Sequence, residues 1–148
     1  MRLAAKLGAA LACLALAIAM NCQSADSGQH SLKQQLSRDG FSGPLTGRIK
    51  FTRIGLLECG ERQYRAFYYE WEQSQPLGKA IHAHSRLLFL DDAGRYLGSY
   101  SVEDRPIRLT IHSIVFAYTE QMGNRIRCSD IGPGRHVLLD GEPEQFFK

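Results

Sequence analysis

The sequence predicts an all-β domain: an antiparallel meander of about eight or nine short strands forming a small barrel or sandwich. From Gly47 onward, apolar residues recur at every second position, the period at which side chains alternate between the two faces of a strand. Turn-forming groups such as Asp91-Asp92-Ala93-Gly94, Gly123-Asn124 and Asp140-Gly141 interrupt that pattern at short intervals. Connections this brief join antiparallel neighbours, because parallel pairing needs a crossover of about a dozen residues or more. No stretch beyond residue 47 keeps a 3.6-residue period, so a helical domain is not expected.

The N-terminus is of another kind. Arg2 and Lys6 precede an uncharged apolar run from Leu7 to Met20. The run is shorter than the roughly 20 apolar residues of a membrane-spanning helix and fits the h-region of an export signal. Residues 1–21 are therefore expected to be a signal peptide, and the protein to be exported to the periplasm or carried to the outer membrane as a lipoprotein. Two processing routes remain open. Ala17-Ile18-Ala19 is a small-x-small cleavage site that leaves Met20 as the new N-terminus. The segment ending at Cys22 also resembles a bacterial lipobox, with cleavage just before a lipidated cysteine, although Met20-Asn21 replace the usual small residues.

Cysteine arithmetic bears on the choice. Cleavage after Ala19 leaves Cys22, Cys59 and Cys128, an odd number in an oxidising compartment. Lipidation of Cys22 removes the odd thiol and attaches the chain to a membrane. Cys59 and Cys128 form the expected disulfide, which closes a loop of about 70 residues and contributes about 4 kcal/mol on the chain-entropy account. Neither has a second cysteine or histidine at metal-ligand spacing.

Residues 22–46 read as a polar tether, rich in Gln, Ser, Asp and Gly. Within it, Ser31-Leu32-Lys33-Gln34 matches a capping box and predicts a short helix over 31–38, ended by Asp39-Gly40 and Gly43-Pro44. Residues 47–148 form the disulfide-stapled β domain. Its first strand alternates Ile49 and Phe51 with Arg48 and Lys50. In the run FYYEW, Phe67, Tyr69 and Trp71 share one face, expected to be the core, and Tyr68 lies opposite on the face open to recognition. RLLFL and RYLGSYSV flank the Asp91–Gly94 turn. Ile107, Leu109 and Ile111 alternate with Arg108, Thr110 and His112, and Ile114, Phe116 and Tyr118 repeat the period after a turn at His112-Ser113. Ile126 and Cys128 alternate with Arg125 and Arg127, which places Cys128 inward.

Charge excludes a general polyanion-binding role. Arg2 and Lys6 leave with the signal, and the remaining sixteen basic residues face fifteen acidic ones, for a net charge of +1. Nucleic acid is therefore not an expected partner. Arginine does outnumber lysine, 13 to 5, and arginine suits local planar recognition better than diffuse attraction.

Three constellations bear on chemistry. Arg108, Arg125 and Arg127 occupy polar strand positions late in the chain; if their strands are neighbours, they form a patch together with Tyr68 or His112, of the residue types enriched at interface hot spots. His82 and His84 lie two apart on one strand face, a geometry that serves two ligands of zinc or copper but needs a third, such as His112 or His136, brought close by folding. Glu70 and Glu72 share a face, yet neighbouring hydrated carboxylates rarely separate into acid and base, so an ordinary solvated face is expected. There is no G-x-S-x-G elbow around Ser99, no P-loop and no G-x-G-x-x-G.

The expected function is that of a non-enzymatic exported protein: a binding or accessory domain of the cell envelope, acting through an exposed β surface without a cofactor. Its expected partner is an envelope protein or a small ligand. The alternative is a carrier of a small ligand or metal, with a barrel cavity or a His82/His84 site.

Overall fold

A computed structural model describes residues 28–74, 81–117 and 124–148. The signal peptide, Cys22, Tyr118 and Gly123 lie outside the described residues. The chain divides into two units, Met1–Gln34 and Gln35–Lys148. In the first, the described residues open a helix, α1, over 28–38, where the side chains of His30 and Gln34 meet at 3.0 Å. The chain is already helical at residue 28, three residues before the expected start at Ser31. Ser31 therefore lies inside it and not at its cap.

In the second unit, the end of α1 is closed by a glycine-based stop. Gly40 takes φ 82°, the Phe41 N–H donates to the Leu36 carbonyl at 3.0 Å, and both hydrophobic side chains are buried. This is the bond and contact pattern of a Schellman motif. The stretch read as a polar tether thus supplies two buried side chains to the second unit.

Nine strands follow among the described residues. β1 (Ile49–Cys59), β2 (Arg62–Ser74), β3 (Ile81–Leu90) and β4 (Tyr96–Ser101) form a four-stranded antiparallel meander in chain order. β5 (Arg108–Leu109), β6 (Ser113–Val115) and β7 (Arg125–Arg127) form a second sheet, and β8 (His136–Leu139) with β9 (Glu142–Gln145) a hairpin. These strands form no closed barrel among the described residues. The β8–β9 turn has positive φ at both central residues, Asp140 at 53° and Gly141 at 85°, which marks the I′ class favoured by Asp-Gly.

The fully buried cluster lies on the face of β2 that carries Tyr64, Ala66 and Tyr68. It packs against Leu87 and Phe89 of β3, Ile114 and Ile126 of the second sheet, and Phe146 near the C-terminus. This corrects the sequence reading, which put Phe67, Tyr69 and Trp71 in the core and Tyr68 at the surface: Tyr68 is 4% exposed. The cause is that β2 is covered on both sides. Tyr69 is also buried, but on the opposite face, where Phe41 meets it edge-on at 5.2 Å and its hydroxyl donates to the Pro44 carbonyl at 2.5 Å. Burial pushes the Tyr69 phenol up to about 12.

Two further expectations change. Ile107 and Ile111 are 67% and 60% exposed and do not face inward. β5 is only two residues long, because Pro106 precedes it and a bend at Ile111–His112 follows. Cys128 does not continue β7: it opens a 3-10 turn, Cys128–Asp130, and is half-buried. From there it joins Cys59 at the end of β1 in a disulfide, with Cα atoms 5.5 Å apart. The expected pair is therefore present, with Cys59 at the end of β1 and Cys128 on a turn and not on a strand face.

Candidate functional site

The register of the first sheet assembles a line of rings across three strands. Phe51 on β1 lies opposite Tyr69 on β2, and Trp71 lies opposite His84 on β3. Cross-strand partners share a face, so Phe51 stacks on Tyr69 at 4.8 Å, Tyr69 on Trp71 at 4.9 Å and Trp71 on His84 at 5.0 Å. Phe51 and Tyr69 are buried; Trp71 is half-buried and His84 exposed. The line thus runs from the interior to the surface.

Arg86 stands on the same face, opposite Tyr69. Its guanidinium carbon lies 4.8 Å from the ring of Phe147, 5.1 Å from Trp71 and 5.8 Å from Phe41. Three π-faces hold the planar head by cation–π attraction. Nη1 reaches the Ser42 hydroxyl at 3.3 Å, while Nε is buried without a hydrogen-bond partner among the described residues. Arg86 makes no ion pair among those residues.

Trp71, His84 and Arg86 line a groove of about 620 Å³. β3 outruns β4 here: the last register pair is Arg86 with Ser101, followed by a bond from the Val102 N–H to the Ser85 carbonyl. Ala83 and His84, also in the lining, are paired with β2 alone among the described residues. The same lining includes four carboxylates, Glu103 after β4 and Asp140, Glu142 and Glu144 of the β8–β9 hairpin. Asp140 is held in place: its carboxylate accepts from the Asn124 side-chain amide at 2.7 Å, and its backbone N–H donates to Asn124 Oδ1 at 3.1 Å. Burial and the charges of Glu103 and Glu142 raise the Glu144 carboxyl above its ordinary value. The groove therefore brings an aromatic, cationic group of side chains and an acidic one into a single lining.

The residues singled out from the sequence fall into separate places. Arg108 is paired with Val115 and Val115 with Arg125, and Ser113 is paired with Arg127. All three arginines thus stand on one face of the second sheet, opposite the face that sends Ile114 and Ile126 into the core. Tyr68 is not among them: the Arg105 guanidinium covers its ring at 5.2 Å and pairs with Glu70 at 2.6 Å. His112 is also apart, with Nδ1 2.6 Å from the Glu58 carbonyl. Glu72 pairs with Arg48 at 3.1 Å. His82 and His84 share a strand face, but no group of three metal-ligating side chains assembles among the described residues.

The sequence reading missed Arg86 and the four carboxylates. The acid-rich stretch DGEPE gave one sign of the acidic group; nothing local marked Arg86, whose setting depends on strand register. Comparisons with protein families, curated proteins and solved structures found no match to this chain.

Proposed function

We propose that this is a non-enzymatic, exported binding domain of the cell envelope, built as an open sandwich-like scaffold and recognising its partner through the groove at the end of the first sheet. The single observation that carries the reading is the meeting of Trp71, His84 and Arg86 with Glu103, Asp140, Glu142 and Glu144 in the lining of one cleft. Cavities of roughly 300–1,000 Å³ with a few convergent polar groups are the usual form of a recognition site. An export signal at 1–21 and the Cys59–Cys128 staple fit service outside the cytoplasm. A tether from a lipidated Cys22 would hold the domain at a membrane surface.

A photo-crosslinking amino acid at Ala83, in the protein expressed at native level, tests the site. The expected result is one discrete adduct that disappears when Trp71→Ala is added. A crosslinker at Arg108, on the second sheet, serves as the comparison. Adducts from position 108 with none from position 83 would overturn the groove as the recognition surface and favour the arginine face.

A further inference from the structure

We infer that the groove takes a short extended peptide, with a lysine or arginine side chain against Glu103, Glu142 and Glu144 and a carboxylate at Arg86. The inference rests on the groove being the recognition site and adds the chemistry of its ligand.

The cleft is dipolar and unbalanced. It has four carboxylates and one guanidinium among its lining residues. Asp140 is already occupied by Asn124. Glu103, Glu142 and Glu144 make no ion pair among the described residues, and burial first, then the neighbouring charges of Glu103 and Glu142, disfavour the charged form of Glu144. A cation placed between them removes that repulsion and gains charge-assisted hydrogen bonds. An anionic ligand meets the repulsion instead.

Arg86 selects a different group. Arg86 is fixed by Phe41, Trp71 and Phe147 and has no carboxylate partner among the described residues. A guanidinium ordered in advance loses little further entropy on pairing, and its fork matches a carboxylate. The groove floor selects backbone. In an antiparallel ladder, residues of one strand direct their N–H and C=O groups alternately to either side. The Ser85 carbonyl points toward β4, where it accepts from Val102; Ala83, two residues back, points the same way, past the last β3–β4 register pair. That rung, without a strand partner among the described residues, is a site for pairing with an extended chain.

Trp71 is the single tryptophan, so its emission reports occupancy directly. The test titrates the full mature chain with three probes: Ala-Lys-Ala with a free C-terminus, the same peptide as its C-terminal amide, and Ala-Glu-Ala. Ala-Lys-Ala is expected to bind about tenfold more tightly than Ala-Glu-Ala, the ratio that one partly desolvated charge pair supplies, with the amide between them. In Glu142→Gln/Glu144→Gln, a surface variant that leaves the core intact, the preference for lysine over glutamate should fall by most of that factor. In Arg86→Gln the free acid and the amide should bind alike. Equal binding of Ala-Lys-Ala and Ala-Glu-Ala, a lysine preference that survives the double variant, or no change in Trp71 emission at millimolar peptide would each overturn the proposal. An Ala83 adduct that persists while the peptides give no response would sink this ligand class and leave the recognition site standing.

Discussion

The guanidinium of Arg86 lies over the indole of Trp71 with 5.1 Å between its central carbon and the ring centroid. The two side chains sit diagonally on neighbouring strands, since Arg86 is opposite Tyr69 and Trp71 is opposite His84. One charged group therefore both finishes a buried aromatic face and lines an open groove.

Arg86→Lys should weaken the domain although it keeps the charge. A compact, strongly hydrated ammonium cannot lie flat against Phe41, Trp71 and Phe147 together. Partly desolvated cation–π contacts contribute about 0.5–2 kcal/mol, and a loss of about 1–2 kcal/mol is expected in urea unfolding. A midpoint and slope equal to wild type would show that the three rings gain nothing from the planar head.

Removal of the disulfide should have a larger effect. Cys59 and Cys128 are 69 residues apart, and opening a loop of that length returns about 4 kcal/mol of chain entropy to the unfolded state. The bond also ties the β1 end to the second sheet, where the Glu58 N–H donates to the Ile111 carbonyl at 2.8 Å and the Cys128 N–H to the His112 carbonyl at 3.2 Å. Cys59→Ser/Cys128→Ser, compared with wild type in oxidising buffer, should lose about 2–5 kcal/mol in chemical denaturation. Under a strong reductant the two proteins should unfold together; a wild type that stayed more stable there would assign the loss to the substitutions and not to the bond.

Gly98 is expected to reject even a methyl group. Its φ is 154°, and a Cβ built there meets the Phe146 ring and stands 2.7 Å from the Phe147 carbonyl oxygen. Phe147 cannot withdraw freely, because its N–H and C=O both bond to Ser99, at 3.0 and 2.8 Å. Overpacking of this kind costs about 1–3 kcal/mol, so Gly98→Ala should lower the urea midpoint accordingly. Gly60→Ala is the useful comparison: its φ of 69° adds backbone strain, yet a Cβ there meets nothing within 4 Å. If both changes cost the same, the contact with the C-terminal strand is not what constrains Gly98.

These features differ in how far the sequence foretold them, and the reasons are physical. Strand existence was legible because period-two alternation and Asp-Gly turns act locally: Asp140-Gly141 takes the I′ geometry its composition implies. The choice of core face was not. Phe67, Tyr68, Tyr69 and Trp71 are aromatic on both faces of β2, and two covering layers satisfy both, so alternation alone could not rank Tyr68 against Tyr69. Asn124 looked like a turn residue beside Gly123, yet it is buried and clamps Asp140, a bond between positions 16 apart. Arg108, Arg125 and Arg127 could be brought onto one face only by the β5–β6–β7 register, and the groove only by the register of β2 with β3 together with the approach of a hairpin from the C-terminus. Pairings of this kind are long-range and leave no local trace.

Asp39 connects the helix end to the first sheet, and its titration should be visible in the acid limb of stability. Its Oδ2 accepts from the Tyr96 backbone N–H at 2.6 Å and from the Gln35 amide at 2.8 Å. Burial alone raises the carboxyl, but those two bonds, with Lys148 and Arg38 adding positive charge, hold it below its ordinary value of 3.8. The folded chain therefore binds fewer protons here than the unfolded chain as pH drops below about 4, and stability rises with pH across that window. The contribution is complete above the unfolded value and is lost as pH falls through the folded one. Asp39→Asn, which keeps the shape and removes the charge, should cost about 1–2 kcal/mol at neutral pH, the difference between a charge-assisted and a neutral bond to the Tyr96 N–H. The gap between the two proteins should narrow as urea titrations are repeated from neutral pH into the acid limb, because protonation of wild-type Asp39 removes the charge that the asparagine lacks. A gap of constant size over that range would mean that the charge of Asp39 contributes nothing and that its shape alone holds Tyr96 in place.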